Sequence, residues 1–317
     1  MDLAPWHPKR ILVSHTLHEG LGDYLLARRP DLQIRARDAA EITGQDVEWS
    51  EVLVGFRPPR DGPWRTLRWI HCIGAGVDAF AFRTGLSPDT LVTRTSEDFG
   101  PQIGEYCLAR TLAVTQRLRQ LESEQQARSW KPKHPAQLRN TRVVIVGTGA
   151  VGRGIARAFL GAGCLVDGVS LSGAGREPFG TVRSIADFED AVRMARWLVL
   201  ACPLTEETFH LLDRRRLAQC DGAYLINVGR GPLLQEDALP EALDQGWLSG
   251  AALDVFETEP LPSDSPLLGL RNVTLTQHIA GVTWESMQAM TAMAVDNVAS
   301  VLRGETPRTA VNPDVAR

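Results

Sequence analysis

The sequence is short of several things. No apolar run in its 317 residues approaches the roughly 20 residues of a bilayer-spanning helix. Met1 to Arg10 hold no apolar h-region, so no secretory signal is expected. There is no cationic surplus. Lys and Arg number 34 against 38 Asp and Glu, a net charge of −4. That removes the electrostatic case for nucleic acid or an anionic membrane as a partner. Cysteine is sparse: Cys72, Cys107, Cys164, Cys202 and Cys220 lie far apart with no C-x-x-C. Reduced thiols in a cytoplasmic protein are expected, not disulfides or a metal site. His15 and His18 lie close together near the first apolar run, but no third ligand is evident, so no metal is expected there. Internal repeats and low-complexity segments are also missing. What remains is an ordinary globular composition, 44% hydrophobic and 23% charged, at a length that suggests two domains.

What is present centres on one stretch. Arg142-Val143-Val144-Ile145-Val146 is a β-branched run. It ends in Gly147-Thr148-Gly149-Ala150-Val151-Gly152, and a helical pattern follows. Strand, tight turn and helix in that order are the context in which G-x-G-x-x-G binds a dinucleotide. Gly147 allows the turn, Gly149 lets the backbone approach a pyrophosphate, and Gly152 lets the helix pack on the strand. The anion then sits on N–H groups at the helix N-terminus.

Around this stretch, short apolar runs alternate with helical patterns, which predicts parallel sheets. Runs at 11–14, 32–35, 52–56, 69–73 and 91–93, with a helix over 19–29, make a first α/β unit. Gly74-Ala75-Gly76-Val77-Asp78 follows its fourth run. Glycines there can bring backbone N–H groups to a ligand, or simply turn the chain. A long helix is expected over 98–119, then a polar excursion over 122–140 that carries Trp130. A bare indole in a polar segment needs cover, from its own chain or from a second subunit. Beyond the fingerprint, strands are expected at 165–169, 197–201, 223–228, 250–255 and 273–276. Helices are expected at 184–194, with Ser184 as N-cap, at 235–245 and at 283–303.

In a doubly wound sheet, ligands bind outside the carboxyl ends of the strands. Arg230, Asp254, Glu259 and His278 all fall there. Singly, each has a plain reading: a surface turn arginine, loop charges, a structural histidine. Together they form a chemical set. An arginine fork holds a carboxylate through two parallel bonds. A histidine exchanges a proton near neutral pH. A carboxylate on the other ring nitrogen fixes the tautomer. Beside a nicotinamide, that set reduces a 2-keto acid or oxidises a 2-hydroxy acid.

The two glycine motifs already quoted are joined by Asn227-Val228-Gly229-Arg230-Gly231, Leu253-Asp254-Val255-Phe256-Glu257-Thr258-Glu259-Pro260 and Gln277-His278-Ile279-Ala280. In this order they resemble the D-isomer-specific 2-hydroxyacid dehydrogenases over nearly the whole chain. Asp221-Gly222-Ala223-Tyr224-Leu225 and Ser129-Trp130-Lys131-Pro132 resemble the glyoxylate/hydroxypyruvate reductase branch. The resemblance implies two doubly wound parallel-sheet α/β domains. A Rossmann-type NAD(P)-binding domain, 100–283, is inserted in a flavodoxin-like substrate domain made of 1–99 and 284–317. It implies that Arg230 binds the substrate carboxylate, helped by backbone N–H groups at Ala75 and Gly76. His278 is the acid/base and Glu259 its partner. Asp254 contacts the nicotinamide carboxamide. Cys202, Pro203, Thr208, Val228 and His278 join the glycine loop, Gly147 to Gly152, around the cofactor. It also implies a homodimer joined through the coenzyme domains, with a small 2-keto or 2-hydroxy acid such as glyoxylate or hydroxypyruvate as substrate. The chain stops soon after its last helix, so the regulatory domain of many phosphoglycerate dehydrogenases is not expected.

Folds that prefer NAD place an acid at the tip of the second strand. Asp167 has that spacing but lies inside the strand. The tip is Ser170-Leu171-Ser172, without an acid, and Arg176 follows in a glycine-rich loop. This favours NADP over NAD, although Leu171 stands where family members using NADP often carry Arg, and Glu177 sits beside Arg176. The alternatives are a cofactor-sensing binding protein like the C-terminal-binding corepressors, or another 2-hydroxyacid dehydrogenase such as phosphoglycerate dehydrogenase. The corepressors need long flanking tails. Formate dehydrogenases carry Gln where Glu259 stands.

Overall fold

The structure is a computed structural model. It describes residues 8–14, 22, 23, 25–27, 29–38, 41–55, 64–74, 76, 77, 80, 86, 87, 89–95, 99–307 and 309–311, with the side chains of 287, 291 and 302 left aside. The chain divides into two units: Met1–Glu97 with Thr283–Arg317, and Asp98–Val282.

The first unit holds β1 (Arg10–Ser14), β2 (Gln33–Ala36), α1 (Gly44–Trp49), β3 (Val52–Gly55), β4 (Trp69–Cys72) and β5 (Leu91–Arg94); α8 (Trp284–Leu302) and β13 (Ala310–Val311) complete it. Its sheet runs β13-β5-β4-β3-β1-β2. All pairs are parallel except β13 with β5. The order of the first five strands is the flavodoxin-like doubly wound one. Both faces are covered, which is why the strands read as unbroken apolar runs. Ile11, Val13, Val54 and Trp69 pack with Ala294, Val295 and Val298 of α8. Leu12, Leu53 and Ile70 pack with Val47 of α1, Trp64 and Phe80 on the other face.

The second unit holds α2 (Gly100–Thr115), α3 (Leu118–Gln126), β6 (Arg142–Val146), α4 (Ala150–Gly161), β7 (Leu165–Ser170), β8 (Val182–Ser184), α5 (Phe188–Arg193), β9 (Trp197–Leu200), α6 (Arg214–Leu217), β10 (Ala223–Asn227), α7 (Leu239–Asp244), β11 (Leu248–Leu253) and β12 (Val273–Leu275). Its sheet runs β12-β11-β10-β9-β6-β7-β8, parallel throughout. Strand order reverses between β6 and β9, and a crevice opens at such a switch point. Val144, Val146, Leu198 and Leu200 face Phe188, Ala191 and Val192 of α5. On the other side α2 and α4 touch through glycines. A Cβ on Gly154 would stand 2.2 Å from the carbonyl carbon of Gly100.

Three elements differ from the sequence expectation. The helix expected over 98–119 ends at Thr115; Arg117 takes a φ of 56°, and α3 starts at Leu118 and runs on into the polar excursion. None of α3's residues is buried. Tertiary bonds help to hold it: Arg119 donates to the carbonyls of Arg271 and Val273 at 3.4 and 3.5 Å, covering the edge strand β12. The helix expected over 184–194 is split. Ser184 ends β8, and its hydroxyl caps a 3-10 turn, Ile185–Asp187, by accepting from Ala186 N at 3.2 Å. Helix α5 begins only at Phe188. The helix expected over 235–245 becomes a 3-10 turn followed by α7, with Pro240 in the first turn, where its missing N–H costs nothing.

Candidate active site

The dinucleotide-type turn is built from steric necessity. Gly147 has a φ of +106°, and a Cβ there would lie 2.6 Å from the carbonyl oxygen of Ala201. At Gly152 a Cβ would lie 1.8 Å from Gly147 O. Gly149, the N-cap of α4, differs from both: a Cβ there would meet nothing within 4 Å. The first N–H groups of a helix have no partner within it. At the switch point they make an anion site with open space in front. Thr148 is buried, Val151 half-buried and Ala150 exposed on this turn.

At the tip of β7, Ser170 Oγ accepts from Gly173 N at 3.1 Å and Ser172 Oγ from Ala174 N at 3.3 Å, while Leu171 is exposed. Arg176 reaches back to the glycine turn, its Nη1 donating to Thr148 O at 3.5 Å. Asp167 is buried in β7, paired with Arg142 and accepting from Thr181 N. Its carboxylate serves the fold. After β9, Cys202 is half-buried, and burial pushes its thiol up to about 12. Thr208 closes the Pro203 turn: its hydroxyl accepts from Thr205 N at 2.7 Å and donates to Pro203 O at 2.8 Å. Val228 is half-buried, and its N–H donates to Leu200 O at 3.1 Å.

The neighbouring strand ends carry the polar set. Asn227 clamps the turn after β10. Its Oδ1 accepts from Gly229 N at 3.1 Å, and its Nδ2 donates to Arg230 O at 2.9 Å. Arg230 is half-buried, and its Nη1 donates to Gly229 O at 2.7 Å. The turn abuts the loop after β11: a Cβ on Gly231 would lie 1.9 Å from the carbonyl carbon of Phe256. In that loop Glu259 Oε1 accepts from Phe256 N at 2.9 Å, and Oε2 meets His278 Nδ1 at 3.0 Å. An ionised carboxylate only accepts, so Nδ1 carries the proton of this bond. Asp254 is buried. It accepts from Thr276 Oγ1 at 2.6 Å, Ile279 N at 3.0 Å and Ala280 N at 2.8 Å. Arg230, Asp254, Glu259 and His278 therefore share one edge of the sheet. An arrangement of this kind can hold a carboxylate and pass a proton.

Ala75, His15 and His18 lie outside the described residues. Gly76 follows β4 in the first unit, where its carbonyl accepts from Cys72 Sγ at 3.2 Å. All five cysteines are free. Among the described residues no cluster of three or more His, Cys, Asp or Glu could hold a metal. Among them, too, no helix is long and apolar enough to cross a membrane. Trp130 is 98% exposed in the single chain. One residue at the site escapes a sequence reading. Tyr106, seen there only as part of an apolar helix face, places its hydroxyl 2.6 Å from Thr276 Oγ1.

Residues 108–280 match the family model described as D-isomer specific 2-hydroxyacid dehydrogenase, NAD binding domain. The chain is 35% identical over 295 residues to a glyoxylate/hydroxypyruvate reductase A of Serratia proteamaculans, covering 89% of this chain and 91% of that one. A glyoxylate reductase of Thermofilum pendens is 32% identical over 261 residues, 79% of this chain and 76% of its own. Among solved structures, a D-isomer specific 2-hydroxyacid dehydrogenase family protein from Aeromonas salmonicida superposes with a TM-score of 0.82 at 30% identity, over 97% of this chain and 100% of that chain. A D-isomer specific 2-hydroxyacid dehydrogenase from Xanthobacter autotrophicus, in complex with NADPH and MES, superposes with a TM-score of 0.78 at 28% identity, over 98% and 100%.

Proposed function

The chain belongs to the D-isomer specific 2-hydroxyacid dehydrogenase family, and from that premise we propose that it reduces small 2-keto acids, glyoxylate and hydroxypyruvate among them, at the expense of NAD(P)H. The contact that carries this reading is His278 Nδ1 to Glu259 Oε2, 3.0 Å, beside the Arg230 turn. Arg230 grips the keto acid's carboxylate and fixes which carbonyl is presented. His278 gives the proton on Nε2 to the carbonyl oxygen as the carbonyl carbon takes a hydride. Glu259 orients the imidazole and fixes its tautomer through Nδ1. A reduced nicotinamide, when bound, would supply that hydride. The same groups run the reaction backwards, with His278 as base.

The glycine turn fits the cofactor: Gly149 leaves open space before the N-terminus of α4, while Gly147 and Gly152 make the turn possible. Cys202, Pro203, Thr208 and Val228 stand around the same sheet edge and line the cofactor site. Asp254, on the nicotinamide side, has its carboxylate already taken by three donors, so it also holds the His278 loop. NADPH is the preferred cofactor. The reading is supported by Ser170 and Ser172 in place of an acid and by Arg176 lying against the glycine turn. The enzyme is a homodimer joined through the coenzyme units, a reading supported by the bare indole of Trp130. It works in the cytoplasm, in keeping with five free thiols.

The test is a panel of 2-keto acids offered with NADH and with NADPH, followed by nicotinamide absorbance. Turnover of glyoxylate or hydroxypyruvate to the hydroxy acid is expected. No turnover of any 2-keto acid with either cofactor would overturn the reading.

A further inference from the structure

A line of hydrogen bonds leaves the His278 loop and ends on a buried phenol. Asp254 takes one bond from Thr276, two residues before His278, and two from the residues just after it, Ile279 and Ala280. It thus pins the loop on both sides of the histidine. Such pinning is needed, because His278 has a φ of 59°, in the left-handed region that side-chain-bearing residues rarely adopt. Backbone of that kind persists only where its surroundings over-determine it. Thr276 has one hydroxyl proton, and at 2.6 Å it goes to Asp254 Oδ1. The Thr276 oxygen is therefore the acceptor for the Tyr106 hydroxyl, also at 2.6 Å. Tyr106 rides on α2, its ring under the Arg110 guanidinium at 4.7 Å. Burial pushes its phenol up to about 12, so it keeps its proton and stays a donor across the working range.

We propose that Tyr106 and Thr276 are positioning residues for the proton donor: Tyr106 donates to Thr276, Thr276 to Asp254, and Asp254 fixes the loop that aims His278. Neither residue touches substrate. Their effect is on how often His278 stands in the productive orientation, so it falls on the chemical step and not on binding. The inference rests on the proposed role of His278.

The experiment compares Thr276→Val, which keeps the shape and loses the hydroxyl, with Thr276→Ser, which keeps the hydroxyl, and with Tyr106→Phe. Each is assayed with glyoxylate, hydroxypyruvate and NADPH, alongside thermal melting. Thr276→Val and Tyr106→Phe are each expected to lower kcat by about 3- to 10-fold, with KM for the keto acid changed less than about twofold. Thr276→Ser should restore kcat. The double variant Tyr106→Phe/Thr276→Val should be no slower than Thr276→Val alone, because the two groups act in one chain. An unchanged kcat in the folded single variants, a Ser variant as slow as Val, or losses that simply multiply would each overturn the proposal. His278→Gln separates this from the parent reading. If His278→Gln keeps full activity, the proton-donor role itself fails. If it is inactive while Tyr106→Phe is unaffected, only the positioning chain fails.

Discussion

Two glycines of the same turn should respond to alanine in different ways. Gly149 has φ −71° and ψ −164°, an extended conformation open to any residue, and a Cβ there meets nothing within 4 Å. Gly149→Ala therefore restricts the unfolded chain without crowding the folded one. The gain of about 0.4–1 kcal/mol is offset by the poorer N-cap that alanine makes, so Tm should stay within about 2 °C of wild type. The open space it fills is the space a pyrophosphate would use at the N-terminus of α4. Its cofactor affinity should fall at least about tenfold, a loss of about 1.4 kcal/mol. At Gly152 the added Cβ would stand 1.8 Å from a backbone oxygen that cannot rotate away. Overpacking of that severity costs about 3 kcal/mol, which lowers Tm by about 6–12 °C. Differential scanning fluorimetry reads both, with and without NADPH. Cofactor at a hundred times its Kd should stabilise the wild type by about 2.7 kcal/mol and Gly149→Ala far less. A Gly149→Ala protein that binds NADPH as tightly as wild type, or a Gly152→Ala protein that melts with it, would refute this reasoning.

Other expectations are more local. Arg230→Lys replaces a bidentate fork by a point charge and should lower kcat/KM for every active keto acid by about 100-fold; steady-state kinetics across the panel checks it. Arg176→Ala should lower kcat/KM for NADPH by about tenfold or more, the loss of a charge-assisted bond, and leave NADH unchanged. Stability should also depend on His71, which is fully buried against Thr93 Oγ1 at 2.7 Å, with its pKa pushed down by burial from 6.5 to about 4. Above pH 6.5 it is neutral in both the folded and the unfolded chain. Below that, the unfolded chain takes a proton that the folded one refuses, so stability falls from pH 6.5 down to about 4, by about 2 kcal/mol at pH 5. Denaturant titrations at pH 7.5 and 5 should show this decrement in wild type and a smaller one in His71→Gln. Equal decrements would remove His71 as its source.

Local pattern made much of this site legible. The glycine fingerprint announces itself because Gly147 and Gly152 answer steric demands of the turn that can be stated without coordinates. The strand-end placement of Arg230, Glu259 and His278 follows from the alternation of apolar runs. Residues whose role depends on distant partners were opaque. Tyr106 meets a hydroxyl 170 positions away, and no helix periodicity reports that. Asp254 could be placed at a strand end, but not seen to hold the loop around His278. The break at Arg117 carries no glycine or proline signal, and the edge strand Val182–Ser184 is too short and too polar to stand out. Asp167 has the spacing of a ribose-binding acid but sits inside its strand, and its pairing with Arg142 supplies the physical reason for its burial.

The most direct measurement is the single-turnover rate of keto-acid reduction by His278→Gln, made with its NADPH affinity. Gln keeps a polar side chain but has no exchangeable acid. The rate should fall by about 100- to 10,000-fold, the range of a lost general acid, while NADPH binds as in wild type. A variant that binds NADPH normally and still reduces glyoxylate or hydroxypyruvate at close to the wild-type rate would show that His278 is not the proton donor.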